Sequence, residues 1–163
     1  MMPIRPLWFL LAVSVLAGCG ETPQLEKGQP VPGFSLQQLS GKSLAFPDEL
    51  RGKVVAVRFW ADWCPFCETE MQGIEPVYRK YREQGLSVLA VNVRQDPDTA
   101  QAFIDKLDIS YDVLLDEEGG VARSYGVIGL PTTFFVDREG RLGARILGES
   151  TPEVFEGVVK ELL

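Results

Sequence analysis

Histidine is absent from this chain of 163 residues, and cysteine and methionine each occur three times. Without an imidazole there is no Cys–His nucleophilic catalysis and no histidine-dependent copper site. A structural zinc site takes four protein ligands and a catalytic one three. Two of the three cysteines lie close together, too few for either, so no metal is expected. Basic residues are outnumbered 16 to 23 by acidic ones, for a net charge of −7. That balance offers little hold to a phosphate backbone or an anionic lipid surface, and nucleic acid is excluded as a partner. No apolar run reaches the roughly 20 residues of a comfortable membrane span. There is no internal repeat and no low-complexity segment. The 45% hydrophobic content over this length suits one globular domain with a proper core.

The longest apolar run, LWFLLAVSVLA over residues 7–17, follows an opening whose one charge is Arg5, and it closes on LAGC at Cys19. This is the form of an export signal. The small-residue site ending at a cysteine resembles the bacterial lipobox, which implies that Cys19 is the lipidated first residue of the mature chain and accounts for the odd thiol. A signal cut elsewhere, or a short uncleaved anchor, are the alternatives, and both still export the protein. GETPQLEKGQPVPG, rich in Gly, Pro and charge, reads as a tether. The expected division is a signal peptide at 1–18, a lipid-anchored tether at 19–32 and a folded domain at 33–163. Gly20 in place of Asp after the lipid cysteine leans toward the outer membrane under the rule known for enteric bacteria.

Within the domain, strands are expected near residues 34–39, at VVAVRFWA (54–61), LSVLAVNV (86–93), YDVLLD (111–116), TTFFVD (132–137) and LGARILG (142–148), the last two joined by the hairpin turn REGR. A turn at Gly41 and a helical turn at 47–50 complete the first part. Met71, Ile74, Val77, Tyr78 and Tyr81 recur at helical spacing up to Gly85, with Pro65 in the first turn and Pro76 inside. A second helix spans 98–107 with Ala102, Phe103 and Leu107 inward, a brief one 121–125, and a last one starts at Thr151 as N-cap and Pro152. Alternating strands and helices ending in a hairpin and a helix indicate a three-layer α/β domain around a central mixed sheet.

Cys64 and Cys67, in FWADWCPFCETEM, carry the chemistry. A disulfide between them closes almost no loop, so as a staple it adds little. Cys64 lies at a strand-to-helix junction, where free N–H groups and the helix dipole favour an anion and draw a thiol below the ~8.5 of a free cysteine. Only the thiolate attacks a disulfide. Cys67, one turn on, is placed to resolve the mixed disulfide that Cys64 forms.

VVAVRFWADWCPFCETEM, VLAVNV and GLPTTFFVDREGR, in that order and spacing, resemble the thioredoxin superfamily, and within it the exported, membrane-tethered TlpA/ResA-like thiol–disulfide oxidoreductases, over roughly residues 28–163. The resemblance implies a thioredoxin-like sandwich, a cis Pro131 facing the cysteines, and a preceding Leu130 that offers main-chain hydrogen bonds to a bound polypeptide. The chain departs from thioredoxins proper at two places. Their buried Asp is Arg58 here, and their partner Lys is Ala90. Glu70, three residues after the second cysteine as in ResA-like proteins, is the candidate replacement, accepting the proton of Cys67, with Arg58 pairing with it and keeping it ionised. A solvated Glu70 and an Arg58 snorkelling to the sheet edge are the plainer alternatives. Trp60 and Trp63 read as groove walls or as core, and Phe66 as an exposed substrate contact.

The resulting expectation is a membrane-anchored oxidoreductase outside the cytoplasm, reducing protein disulfides, with apocytochrome cysteines before haem attachment as the clients the resemblance implies. Its partners are protein thiols or disulfides and a membrane-bound electron donor or acceptor. It needs no cofactor besides the Cys64–Cys67 pair. Two alternatives stand beside it. A peroxiredoxin-like peroxidase requires Pro and Thr seven and three residues before its reactive cysteine, where this chain has Val57 and Ala61. A non-catalytic binding lipoprotein would merely hold a partner in the groove.

Overall fold

The computed structural model describes residues 24–163, so the signal peptide, Cys19 and the start of the tether lie outside the described residues. The domain is a seven-stranded sheet with strand order β2-β1-β5-β4-β3-β6-β7. In chain order the strands are β1 (Phe34–Gln38), β2 (Ser43–Phe46), β3 (Val54–Trp60), β4 (Leu86–Val93), β5 (Asp112–Asp116), β6 (Thr132–Val136) and β7 (Leu142–Leu147). The helices are α1 (Cys67–Tyr81), α2 (Pro97–Ile104), α3 (Gly120–Ser124) and α4 (Pro152–Leu162). β3, β4 and β5 run parallel, and β1, β2, β6 and β7 add antiparallel pairings. The sheet is therefore mixed, as expected.

Period-two alternation divides the core into two layers. Val54, Ala56 and Trp60 of β3 and Leu86, Val88 and Ala90 of β4 face Met71, Ile74 and Val77 of α1, Phe103 of α2 and Phe155 of α4. Their neighbours Val55, Val57, Phe59, Leu89 and Val91 face Ala122 of α3, Tyr125 and Phe134. Being covered on both faces, β3 and β4 read as unbroken apolar runs rather than alternating ones.

Several expectations need correcting. Ala102 is exposed, and Ala100 is buried in its place. The Asp96 carboxylate caps α2 by accepting from Thr99 N, and this start brings Ala100 and Phe103 onto the inner face, with Leu107 buried beyond the helix end. Pro65 stands outside α1, whose N-cap is Phe66. The α-helix ends at Tyr81, and a 3₁₀ turn, Arg82–Gln84, continues to Gly85, whose φ of 106° suits a residue without Cβ. The short strand β2 was not expected at all. Residues 28–32, assigned by composition to the tether, lie along the domain edge. Gly28 N donates to Leu142 O, Val31 N to Gly140 O, and the Tyr125 hydroxyl to Pro32 O.

Trp60 belongs to the core. It is fully buried and stacked on Phe103 at 4.9 Å between ring centroids, and its indole N–H has no partner among the described residues, so its contribution is packing. Because this stack supports the end of β3 just before the cysteines, Phe103→Ala is expected to cost about 3 kcal/mol in chemical denaturation.

Candidate active site

β3 delivers the chain to one end of the sheet, and a tight turn hands it to α1. Cys64 N donates to Ala61 O and Cys67 N to Cys64 O, both at 3.2 Å, so the two cysteines occupy successive steps of one backbone turn. Their sulfurs are joined in a disulfide with the Cα atoms 5.4 Å apart. Both residues are buried in this oxidised form, whereas their neighbours Trp63 and Phe66 stand 68% and 47% exposed. No side chain caps the N-terminus of α1. The positive end of the helix dipole therefore lies beside the sulfurs, with no side-chain cap between them.

β6 brings the second part of the site. Thr132 pairs with Phe59, which sets Pro131 level with Trp60 at the same sheet end. The Leu130–Pro131 peptide bond is cis, as the resemblance implied, and Phe46–Pro47 is a second cis bond that nothing in the sequence announced. Thr132 Oγ1 donates to Gly129 O, and Gly148 N donates to Pro131 O, so the loop is tied on both sides.

Beneath the cysteines lies a buried ion pair. Arg58 projects from β3 in the row of Val54, Ala56 and Trp60 and is the one charged residue of that row. It is 1% exposed and its Nη2 donates to Glu70 Oε2. Its Nη1 donates to Thr133 Oγ1 at 3.1 Å on the adjacent β6. The other Glu70 oxygen accepts from Ser150 N, in the loop before α4. Glu70 is buried, one turn along α1 from Cys67, and neither the solvated Glu70 nor the snorkelling Arg58 is observed. Thr133 and Ser150 escaped sequence reasoning. The β3–β6 register, which pairs Arg58 with Thr133, would have been the clue to the first.

Two grooves flank the disulfide. One of about 370 Å³ is lined by Trp63, Arg94, Arg123, Ile128 and Leu130 among others. The other, of about 700 Å³, is bordered by Phe66, Thr69, Glu70, Ile146 and Val154. Trp63 thus belongs to one side and Phe66 to the other.

Comparison with known proteins agrees with this geometry. Residues 27–145 match the AhpC/TSA family. The thiol-disulfide oxidoreductase ResA of Bacillus thuringiensis subsp. konkukian is 34% identical over 139 residues, covering 85% of this chain and 80% of its own length. Among solved structures, a candidate thiol:disulfide interchange protein DsbE from Chlorobium tepidum superposes with a TM-score of 0.79 at 31% identity, covering 85% of this chain and 98% of that one. A thioredoxin family thiol:disulfide interchange protein from Chlorobium tepidum TLS gives 0.74 at 26%, covering 82% and 94%.

The ion pair makes its own prediction. Removing one partner strands a buried charge, whereas replacing both by apolar groups relieves the desolvation of each. Arg58→Met and Glu70→Leu are each expected to lose about 3 kcal/mol of stability, and the double variant to lose much less than their sum, in a denaturant-based double-mutant cycle.

Proposed function

Because this chain belongs to the AhpC/TSA family and is a thiol–disulfide oxidoreductase of the ResA/DsbE type, we propose that it works as a reductase of protein disulfides outside the cytoplasm, held at a membrane by a lipid on Cys19. The observation that carries the reading is the Cys64–Cys67 disulfide at the uncapped start of α1, one helical turn from a buried carboxylate.

In the reduced enzyme the Cys64 thiolate attacks one sulfur of a client disulfide. A Cys64–client bond forms as the client's own S–S bond breaks, and the second client sulfur leaves and takes up a proton. The Cys67 thiol then gives its proton to Glu70, and its sulfur attacks Cys64. The Cys64–Cys67 bond forms as the Cys64–client bond breaks, the remaining client sulfur leaves as a thiolate and takes up the proton that Glu70 received, and two electrons have passed to the client. Arg58 Nη2 and Ser150 N each donate to one Glu70 oxygen, so the carboxylate that receives the proton is held in place one helical turn from Cys67. A membrane-bound dithiol donor resets the pair.

Leu130 and Pro131 bind the client's main chain. The Leu130 amide and carbonyl make no hydrogen bond among the described residues, which leaves both free to pair with a client's main chain. Trp63 and Phe66 cover the client on either side. Apocytochrome cysteines are the client class favoured by the resemblance to the ResA-like group. A peroxidase reading gains nothing from the family match. The two positions that chemistry requires are the buried apolar Val57 and Ala61, and neither can bind a peroxide.

Trapping tests the reading. In the native cell a Cys67→Ala variant is expected to accumulate mixed disulfides through Cys64, identified by mass, and the wild-type pair to equilibrate near −270 mV, about that of thioredoxin. No trapped species would leave a mere binder, and a potential near −120 mV would make the protein an oxidase.

A further inference from the structure

The groove on the Trp63 side carries features that disulfide exchange by itself does not use. Arg94, directly after β4, has a φ of 57° and is the one non-glycine residue among those described with positive φ. Glycine adopts that conformation without a steric cost, and an arginine does not. Its position is reinforced by the neighbouring strand β5 and by the turn that follows it. Arg94 N donates to Asp116 O, and its side chain lies over Gly119, where an added Cβ would come within 2.6 Å of Arg94 Nε. Gly119 itself has a φ of 67°. Two left-handed residues thus face each other, one lacking a side chain so that the other's can cross it. The backbone accommodates a strained arginine here, and the glycine that caps α3 leaves room for its side chain.

Arg123, from α3, lines the same groove. One of its N–H groups donates to the Glu118 backbone carbonyl at 2.7 Å, which fixes the guanidinium without neutralising it. Neither Arg94 nor Arg123 forms an ion pair among the described residues. In a chain of net charge −7 this gives the groove the sign opposite to that of the protein as a whole. The apolar part of the groove is unusually open. Ile128 is 86% exposed and Trp63 68% exposed. The groove begins at Trp63, next to Cys64, and reaches Leu130, next to Pro131, so whatever fills it is continuous with a polypeptide lying across the disulfide.

We propose that this groove is a subsite for an acidic residue flanking the reacting cysteine of the polypeptide client. Arg94 and Arg123 hold the carboxylate, while Trp63 and Ile128 cover an adjoining apolar side chain. The inference rests on the oxidoreductase reading above and adds a sequence preference to it. Main-chain pairing at Leu130 accepts any client, and the two guanidinium groups discriminate among them by charge, which acts on encounter as well as on affinity.

The test uses two synthetic peptides, each with one internal disulfide, identical except that Glu flanks the cysteines in one and Gln in the other. Reduction by the dithiol form of the full domain is followed, and the ratio of the two kcat/KM values is the readout. The ratio is expected to be about fivefold in favour of the Glu peptide. It is expected to approach one in an Arg94→Gly/Arg123→Gln variant, and at high salt. Glycine takes the Arg94 backbone conformation without strain, so this variant should keep the wild-type circular dichroism and thermal unfolding. Equal reduction of both peptides by the wild-type protein, or an unchanged ratio in the variant, overturns the subsite and leaves the oxidoreductase reading intact. Failure to reduce either peptide overturns that reading, and the subsite with it.

Discussion

A guanidinium placed inside a β-sheet has to be answered by a carboxylate, and the architecture around the disulfide follows from how Arg58 is answered. Burying an unpaired charge costs several kcal/mol even after relaxation, on the order of what holds a whole domain together. Glu70 supplies the countercharge from α1, Thr133 an acceptor from β6, and Ser150 N satisfies the remaining carboxylate oxygen from the loop before α4. Four segments are thereby fastened to one point. Cys64 and Cys67 lie on the connection between the first two of them, β3 and α1, so their placement inherits that fixity.

Stability alone is a poor reason for such a pair, since well-packed apolar residues of similar volume often do as well or better. A carboxylate held in one place, one helical turn from the more deeply placed cysteine, has a use that an apolar side chain lacks. Thioredoxins proper set their acidic group on the central strand; here the strand position carries the cation, and the acid has moved to the helix. The exchange puts the buried carboxylate on α1, one helical turn from Cys67, instead of on the strand. On the outer side, Trp63 and Phe66 divide the surface into two grooves of different character. One is framed by arginines, and the other reaches the buried Glu70. Under the proposed roles, client recognition and proton handling use different grooves, one at Trp63 and one at Phe66.

The central strands were legible because burial on both faces leaves an unbroken β-branched run, which 54–60 and 86–93 both display. The helix carrying Cys67 was legible from its spacing of Met71, Ile74 and Val77. Errors arose where a cap sets the phase. Asp96 starts α2 a residue earlier than the apolar pattern implied, and this exchanged Ala102 for Ala100. β2 is four residues long at the sheet edge, too short for periodicity to register. At the site, the cysteines and Pro131 stood out in the sequence, and the partnership of Arg58 with Glu70 could be reasoned from one misplaced charge. Thr133 and Ser150 could not, because only register and loop closure bring them there. Arg94 was silent for another reason: its interest lies in a backbone angle, and no sequence pattern reports that for a non-glycine residue.

The claim on which this account depends is that the Glu70 carboxylate takes the proton of Cys67. Stopped-flow resolution of a mixed disulfide at Cys64, wild type against Glu70→Gln, tests it most directly. The account predicts that the variant resolves on the order of 10²-fold more slowly near neutral pH. Equal rates in a properly folded variant would contradict it.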